Sequence, residues 1–219
     1  IAGYEVLAAG SANLGNSFDT VKVIGDGRAG VSTLTIAVNG VTVATKTLTF
    51  YGPVASITAV ANKTVLAGAG ASTLLAATVT AKDAAGTLVP NLIVGFSAVS
   101  SATSVLASSG TFAADVTPFP YGGSGNYTAT VTSGPMAVSG NTATITYTYT
   151  AGTLVVNAAP VTFTIGGAVA TATLTLDKAS YTPGQAAVLT VTVKDSAGNP
   201  AYSSSVVAIG GLVSNVAAQ

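Results

Sequence analysis

The chain has 219 residues, of which only 6% are charged, seven basic against seven acidic, and it contains no histidine, cysteine or tryptophan. A soluble domain ordinarily carries about 25% charged residues, so the surface of this one must be built mainly from neutral side chains. Without Cys or His the usual zinc, copper, haem and iron–sulfur ligand sets cannot be assembled, and no disulfide can form, although large β domains build adequate cores without one.

The charges also balance locally. Lys22, Arg28 and Lys46 oppose Glu5, Asp19 and Asp26; Lys63 and Lys82 oppose Asp83 and Asp115; Lys178 and Lys194 oppose Asp177 and Asp195. No basic face can be drawn from these, so nucleic acid is not an expected partner. Thr, Ser and Gly interrupt every apolar run well short of the roughly 18 residues of a membrane helix. A membrane β-barrel shares the alternation and low charge, but its paired aromatic girdles are missing; no membrane span is expected. No signal peptide precedes Ile1, and the true start is expected to have been removed by processing or truncation.

Taken in order, the elements read as strands. Asp19 and Asp26 flank a short apolar stretch. Leu34, Ile36 and Val38 alternate with Thr33, Thr35 and Ala37, and a turn follows at Asn39-Gly40. Further along, Tyr127, Ala129 and Val131, then Ile145, Tyr147 and Tyr149, then Val161, Phe163 and Ile165, then Leu189, Val191 and Val193 repeat the same period of two. Such spacing puts one face of each strand in a core and leaves β-branched Thr on the wet face. Turn chemistry separates the runs at Asp83-Ala-Ala-Gly86, Gly122-Gly-Ser-Gly125 and Asp195-Ser-Ala-Gly-Asn-Pro200. The predicted fold class is all-β, with sandwiches favoured by the short, even strand spacing.

The chain also repeats itself. Val54 to Lys63, leading to Val79-Thr-Ala-Lys-Asp-Ala-Ala-Gly86, is echoed by Val169 to Lys178, leading to Val191-Thr-Val-Lys-Asp-Ser-Ala-Gly198. Lys63 matches Lys178, 115 residues on, and Lys82 matches Lys194, 112 residues on, so the second copy lacks three residues of the glycine-rich stretch Gly68 to Ser72. Thr49-Phe-Tyr-Gly52-Pro53 and Thr162-Phe-Thr-Ile-Gly166-Gly167 each resemble a last strand followed by a junction. This organisation predicts the rear half of one domain in 1–53, a complete domain in 54–168 and the front half of a third in 169–219. Val79 and Val191, and likewise Ile57 and Leu174, are expected to share equivalent buried positions. A half sandwich leaves strand edges and an apolar face open, to be covered by a longer chain or by strand addition from a neighbouring molecule.

Leu75 to Phe96, Ser108-Ser-Gly-Thr-Phe112 and Gly125 to Ser133 together resemble a bacterial immunoglobulin-like domain of the invasin and intimin type, and Val188 to Pro200 resembles the same opening. The resemblance implies tandem immunoglobulin-like β-sandwich domains of the sort found in surface adhesins and surface-layer proteins. It brings no catalytic or ligand residue with it.

Chemistry-bearing groups are sparse. Glu5, Asp19 and Asp26 are the one carboxylate cluster fit for acid–base work, and turn roles account for them. Gly25-Asp-Gly-Arg-Ala-Gly30 lacks the residues of a phosphate or calcium loop. Gly122-Gly-Ser-Gly125 has no histidine to act as base. No enzyme is expected, and no cofactor, with calcium the one metal to weigh; Asp115 and Asp177 stand isolated for it. Asn62 and Asn126 fit the N-glycan acceptor triplet. The proline-flanked rings Phe119 and Tyr121 form the one candidate contact loop. Joined to repetition, the low charge suits packing against copies of the same chain. The expected function is an extracellular, cell-surface structural subunit, of a surface layer or filament, homo-oligomeric and in contact with cell-envelope polysaccharide. The alternative is the stalk of an adhesin.

Overall fold

The computed structural model describes residues 4–7, 22–25, 28–38, 40–92, 94–107, 112–114 and 123–202. Every regular element among them is a β-strand. The chain divides into two compact units, residues 1–57, 80–93 and 114–126 in one and 58–79, 94–113 and 127–219 in the other.

Three two-stranded ribbons lie outside the larger sheets. Strands β1 (Tyr4–Leu7) and β2 (Lys22–Gly25) pair antiparallel, β3 (Gly30–Val38) pairs with β4 (Val41–Phe50), and β14 (Thr171–Leu176) pairs with β15 (Leu189–Lys194). A register shift between Ile36 and Ala37 interrupts the period-two reading of β3.

Between the ribbons run two larger sheets. One has the order β5 (Val54–Ala61), β7 (Ser72–Asp83), β10 (Asn126–Thr132), β9 (Phe112–Ala114). The other is ordered β12 (Leu154–Asn157), β11 (Thr142–Ala151), β13 (Val161–Ile165), β6 (Val65–Leu66), with β8 (Phe96–Ser100) also paired to β11. After β5 the chain changes sheet, so that β6 lies parallel to β13 with Val65 opposite Thr164 and Leu66 opposite Ile165. That short strand occupies the edge β13 would otherwise present.

Alternation decides what is buried. Tyr127, Ala129 and Val131 on β10, Ala143, Ile145, Tyr147 and Tyr149 on β11, and Val161, Phe163 and Ile165 on β13 all point inward while the threonines between them do not. The rings of the two sheets meet. Phe96 of β8 lies 4.7 Å from Tyr127, 5.4 Å from Phe112 and 5.2 Å from Tyr149, and Phe112 meets Tyr147 edge-on at 5.9 Å. Tilted and edge-on rings at these separations add to the area they bury. Strand β7 departs from strict alternation because Leu75 takes a left-handed φ of 53°. Ala76 and Ala77 are consequently both buried, and the carbonyl of Ala76 accepts from the amides of both Asn62 and Lys63, which is a β-bulge.

Residues that match between the two similar stretches make matching hydrogen bonds. Asn62 N–H donates to Ala76 C=O as Asp177 N–H donates to Val188 C=O, and Val89 N–H donates to Ala81 C=O as Ala201 N–H donates to Val193 C=O. Lys82 bridges Leu88 as Lys194 bridges Pro200. This pairing corrects one expected equivalence. Asn62 matching Asp177 puts Leu174 opposite Ala59 in the alignment and Ala172 opposite Ile57, and accordingly Ile57 is buried whereas Leu174 is 58% exposed. Val191 does match Val79, but it is half-buried where Val79 is fully enclosed.

Candidate functional site

The most specific polar arrangement is made twice, around Asp83 and around Asp195. Each aspartate opens a turn closed by a glycine of positive φ, Gly86 at 81° and Gly198 at 83°, a conformation glycine adopts without the clash a Cβ would cause. In the first turn Asp83 Oδ1 accepts from the amides of Ala85 at 2.9 Å and Thr87 at 2.8 Å. In the second, Asp195 Oδ1 accepts from Ala197 and Asn199, both at 3.0 Å. A carboxylate has a second oxygen, and here it reaches back along the chain. Gly52, in the β4–β5 connection, donates its N–H to Asp83 Oδ2 at 2.8 Å, and Gly167, in the β13–β14 connection, donates to Asp195 Oδ2 at 2.8 Å. One side chain thus fixes its own turn with one oxygen and the preceding connection with the other.

Both aspartates are 3% exposed. The Gly52 amide, ahead of the turn amides, holds the Asp83 carboxyl below the usual carboxylate range; for Asp195 the Ser139 hydroxyl does most, followed by Gly167. The direction follows from donors that favour the charged form outweighing desolvation.

The second tie is the more elaborate. Ser139 donates its hydroxyl to Asp195 Oδ2 and accepts from Asn199 Nδ2 at 2.9 Å, and Tyr202 N–H donates to Gly167 C=O at 3.1 Å. At the position of Tyr202 the first copy has Pro90, which has no amide hydrogen to give. Gly166 packs so closely there that a Cβ would lie 2.4 Å from the Pro200 carbonyl oxygen, whereas the matching residue before Gly52 is Tyr51.

Other sequence candidates fall as follows. Phe119, Tyr121, Asp19, Asp26, Asp115 and Gly122 lie outside the described residues, and Glu5 is on β1 opposite Ile24. Asp177 accepts from the Tyr181 hydroxyl at 2.5 Å and the Val188 amide at 2.8 Å. The Tyr181 hydroxyl lowers the Asp177 pKa, and the carboxylate in turn raises that of Tyr181. Asn62 Nδ2, the atom a glycan would join, donates to the Leu75 carbonyl at 3.1 Å and Thr78 Oγ1 at 2.9 Å. Asn126 Oδ1 accepts from Thr80 Oγ1 at 2.7 Å. Among the described residues no three His, Cys, Asp or Glu side chains gather as metal ligands would, and no helix is long and apolar enough to cross a membrane. A shallow depression of about 280 Å³ opens beside Lys63, Val65, Ser72, Leu74 and Tyr202; a lone amine and hydroxyls there assemble no acid–base pair.

Sequence reading took Asp83 and Asp195 for turn residues and saw Gly52 and Gly167 only as breaks. The recurrence of the glycine after 115 residues and of the aspartate after 112 is the signal that they work together. No protein-family model matches the chain, and a search of curated proteins finds no match to it either.

Proposed function

We propose that the chain is a stretch of a structural, self-assembling cell-surface protein, a surface-layer or extracellular filament subunit built from tandem immunoglobulin-like sandwiches divided near 53/54 and 168/169. The observation that carries this reading is the repeated tie. Two of the seven acidic residues fasten, with the same 2.8 Å bond, the connection entering one repeat to the turn inside it. Such a device sets spacing and orientation along a string, the property a lattice or filament needs. Neutral outer faces support the same reading. Val31, Val43, Val60 and Val94 are all at least 60% exposed, and little like-charge repulsion stands against close packing of copies.

The ties equally suit the stalk of an adhesin, where stiff reach matters and self-association does not. Static light scattering of the full chain over a concentration series, with electron microscopy of the same samples, separates the two. Sheets or fibres growing with concentration are expected; extended monomers throughout favour the stalk.

A further inference from the structure

We infer that Asn126, and not Asn62, is the site at which this chain carries an N-linked glycan. This rests on the cell-surface reading, because such a transfer takes place as a chain is exported.

Two triplets have the required form, Asn62-Lys63-Thr64 and Asn126-Tyr127-Thr128. In the transfer the side-chain amide nitrogen joins the anomeric carbon of a sugar held on a lipid diphosphate. The nitrogen–carbon bond forms, the bond from that carbon to the diphosphate oxygen breaks, one amide proton passes to the transferase's base and the lipid diphosphate departs. The nitrogen is left with a single N–H. A folded chain that accepts the glycan must therefore manage with one donor where the free asparagine has two.

At Asn62 that loss falls on the fold. Its Nδ2 donates to the Leu75 carbonyl at 3.1 Å and to Thr78 Oγ1 at 2.9 Å. Both bonds close the bulge between β5 and β7, where Leu75 takes its left-handed φ and the Asn62 amide reaches the Ala76 carbonyl. A sugar on this nitrogen removes one of the two and sets its bulk against the bulge.

At Asn126 the other end of the amide is the one in use. Oδ1 accepts from Thr80 Oγ1 at 2.7 Å, which fixes the side chain, and Nδ2 makes no hydrogen bond among the described residues. Alternation on β10 buries Tyr127, Ala129 and Val131 and leaves Asn126, Thr128, Thr130 and Thr132 on the opposite face. The nitrogen thus stands on the outer face with both hydrogens unspent. Thr128 Oγ1, the hydroxyl that completes the triplet, donates to the Ala113 carbonyl at 3.3 Å on the three-residue strand β9, so it is open to a transferase until those two strands pair.

Composition gives the glycan a use. Charged side chains ordinarily keep a surface hydrated, and only 6% of this chain is charged. A bulky hydrophilic group rooted in an uncharged strand face supplies that hydration instead.

The test is to secrete the full chain behind a host's own leader, from cells with an active oligosaccharyltransferase, and to map its glycopeptides by mass spectrometry. A glycoprotein secreted by the same cells controls for transferase activity. A glycan on Asn126 is expected, and it should be absent from Asn126→Gln and from Thr128→Ala. Occupied and unoccupied fractions of each single-acceptor variant are then melted. In Asn62→Gln the two fractions should share one midpoint; in Asn126→Gln the occupied fraction should melt lower, or not be secreted at all. An empty Asn126 beside a glycosylated control overturns the inference, as does a glycan there that lowers the midpoint as much as one on Asn62. Because the leader, not the chain, decides export in this experiment, an empty Asn126 leaves the cell-surface reading standing, and light scattering tests that reading separately.

Discussion

Asp195 receives the amide of Gly167 on the same oxygen that takes the Ser139 hydroxyl, so three segments far apart in sequence converge on one buried carboxylate. Its counterpart Asp83 receives Gly52 and takes its side-chain hydrogen bond from Thr87, inside its own turn, where Asp195 takes one from the distant Ser139. From this difference, and from the core it adjoins, four predictions follow in turn.

Acid should loosen both ties. The folded pKa values of Asp83 and Asp195 are depressed, so the stability they contribute is present above the unfolded carboxylate value of about 3.9 and is lost as pH falls through the folded values. Amide exchange at Gly52 and Gly167 is expected to accelerate below about pH 4. Asp195→Asn, which keeps one acceptor but puts an NH2 where Oδ2 was, should expose the Gly167 amide at neutral pH and remove that step. Unchanged exchange at Gly167 from pH 7 to 2 would contradict the role given to Asp195.

Tyr127 holds the two sheets together through Phe96. Truncating it to Ala is expected to destabilise the full chain by about 3 to 5 kcal/mol, read as a lower urea midpoint of the transition that also abolishes near-ultraviolet tyrosine signals. A midpoint within experimental error of the parent would mean that the ring is not part of the core.

Tyr147 is fully buried and its hydroxyl has no hydrogen-bond partner. Removing that oxygen in Tyr147→Phe should stabilise by about 1 kcal/mol, since an unpaired buried polar group costs its desolvation. Burial pushes the Tyr147 pKa up to about 12. A raised folded value means that the stability is intact below the unfolded pKa of about 10 and declines as pH rises toward the folded one. The parent should lose stability between those values and Tyr147→Phe should lose less, which thermal melts across that range will show.

Gly166→Ala places a methyl against the Pro200 carbonyl and the Tyr202 amide. We expect the Tyr202 to Gly167 hydrogen bond to break, with faster exchange at Tyr202, while the Phe96 ring cluster keeps its protection. Tyr51→Ala, at the matching place, should alter neither. Equal effects of the two substitutions would show the ties to be built alike.

Much of the fold was legible because burial on β10, β11 and β13 follows a period of two, and a period survives in sequence. The repeat was legible because Lys-Asp and the glycine of the following turn recur intact. What escaped was the second oxygen of each aspartate: its bond to a glycine spans 31 residues in one copy and 28 in the other, obeys no period, and involves a backbone amide that any residue but proline offers. Leu174 was misplaced for a related reason. Alternating Thr and apolar residues in β14 look the same when slid by two, and the spacing of 115 between Lys63 and Lys178, which the hydrogen bond from Asp177 to Val188 repeats, is what sets Leu174 on Ala59. The left-handed Leu75 left no trace at all, because leucine gives no hint of a bulge.

Pro90 standing where the second copy has Tyr202 makes the two connections unequal in strength as well as in detail. The bond from Gly52 ends on Asp83, whose further partners all lie in its own turn, whereas the bond from Gly167 ends on Asp195, which Ser139 also reaches, with Asn199 and Tyr202 bonded beside it. A chain pulled from its ends is therefore expected to give at Gly52 under a lighter load than at Gly167.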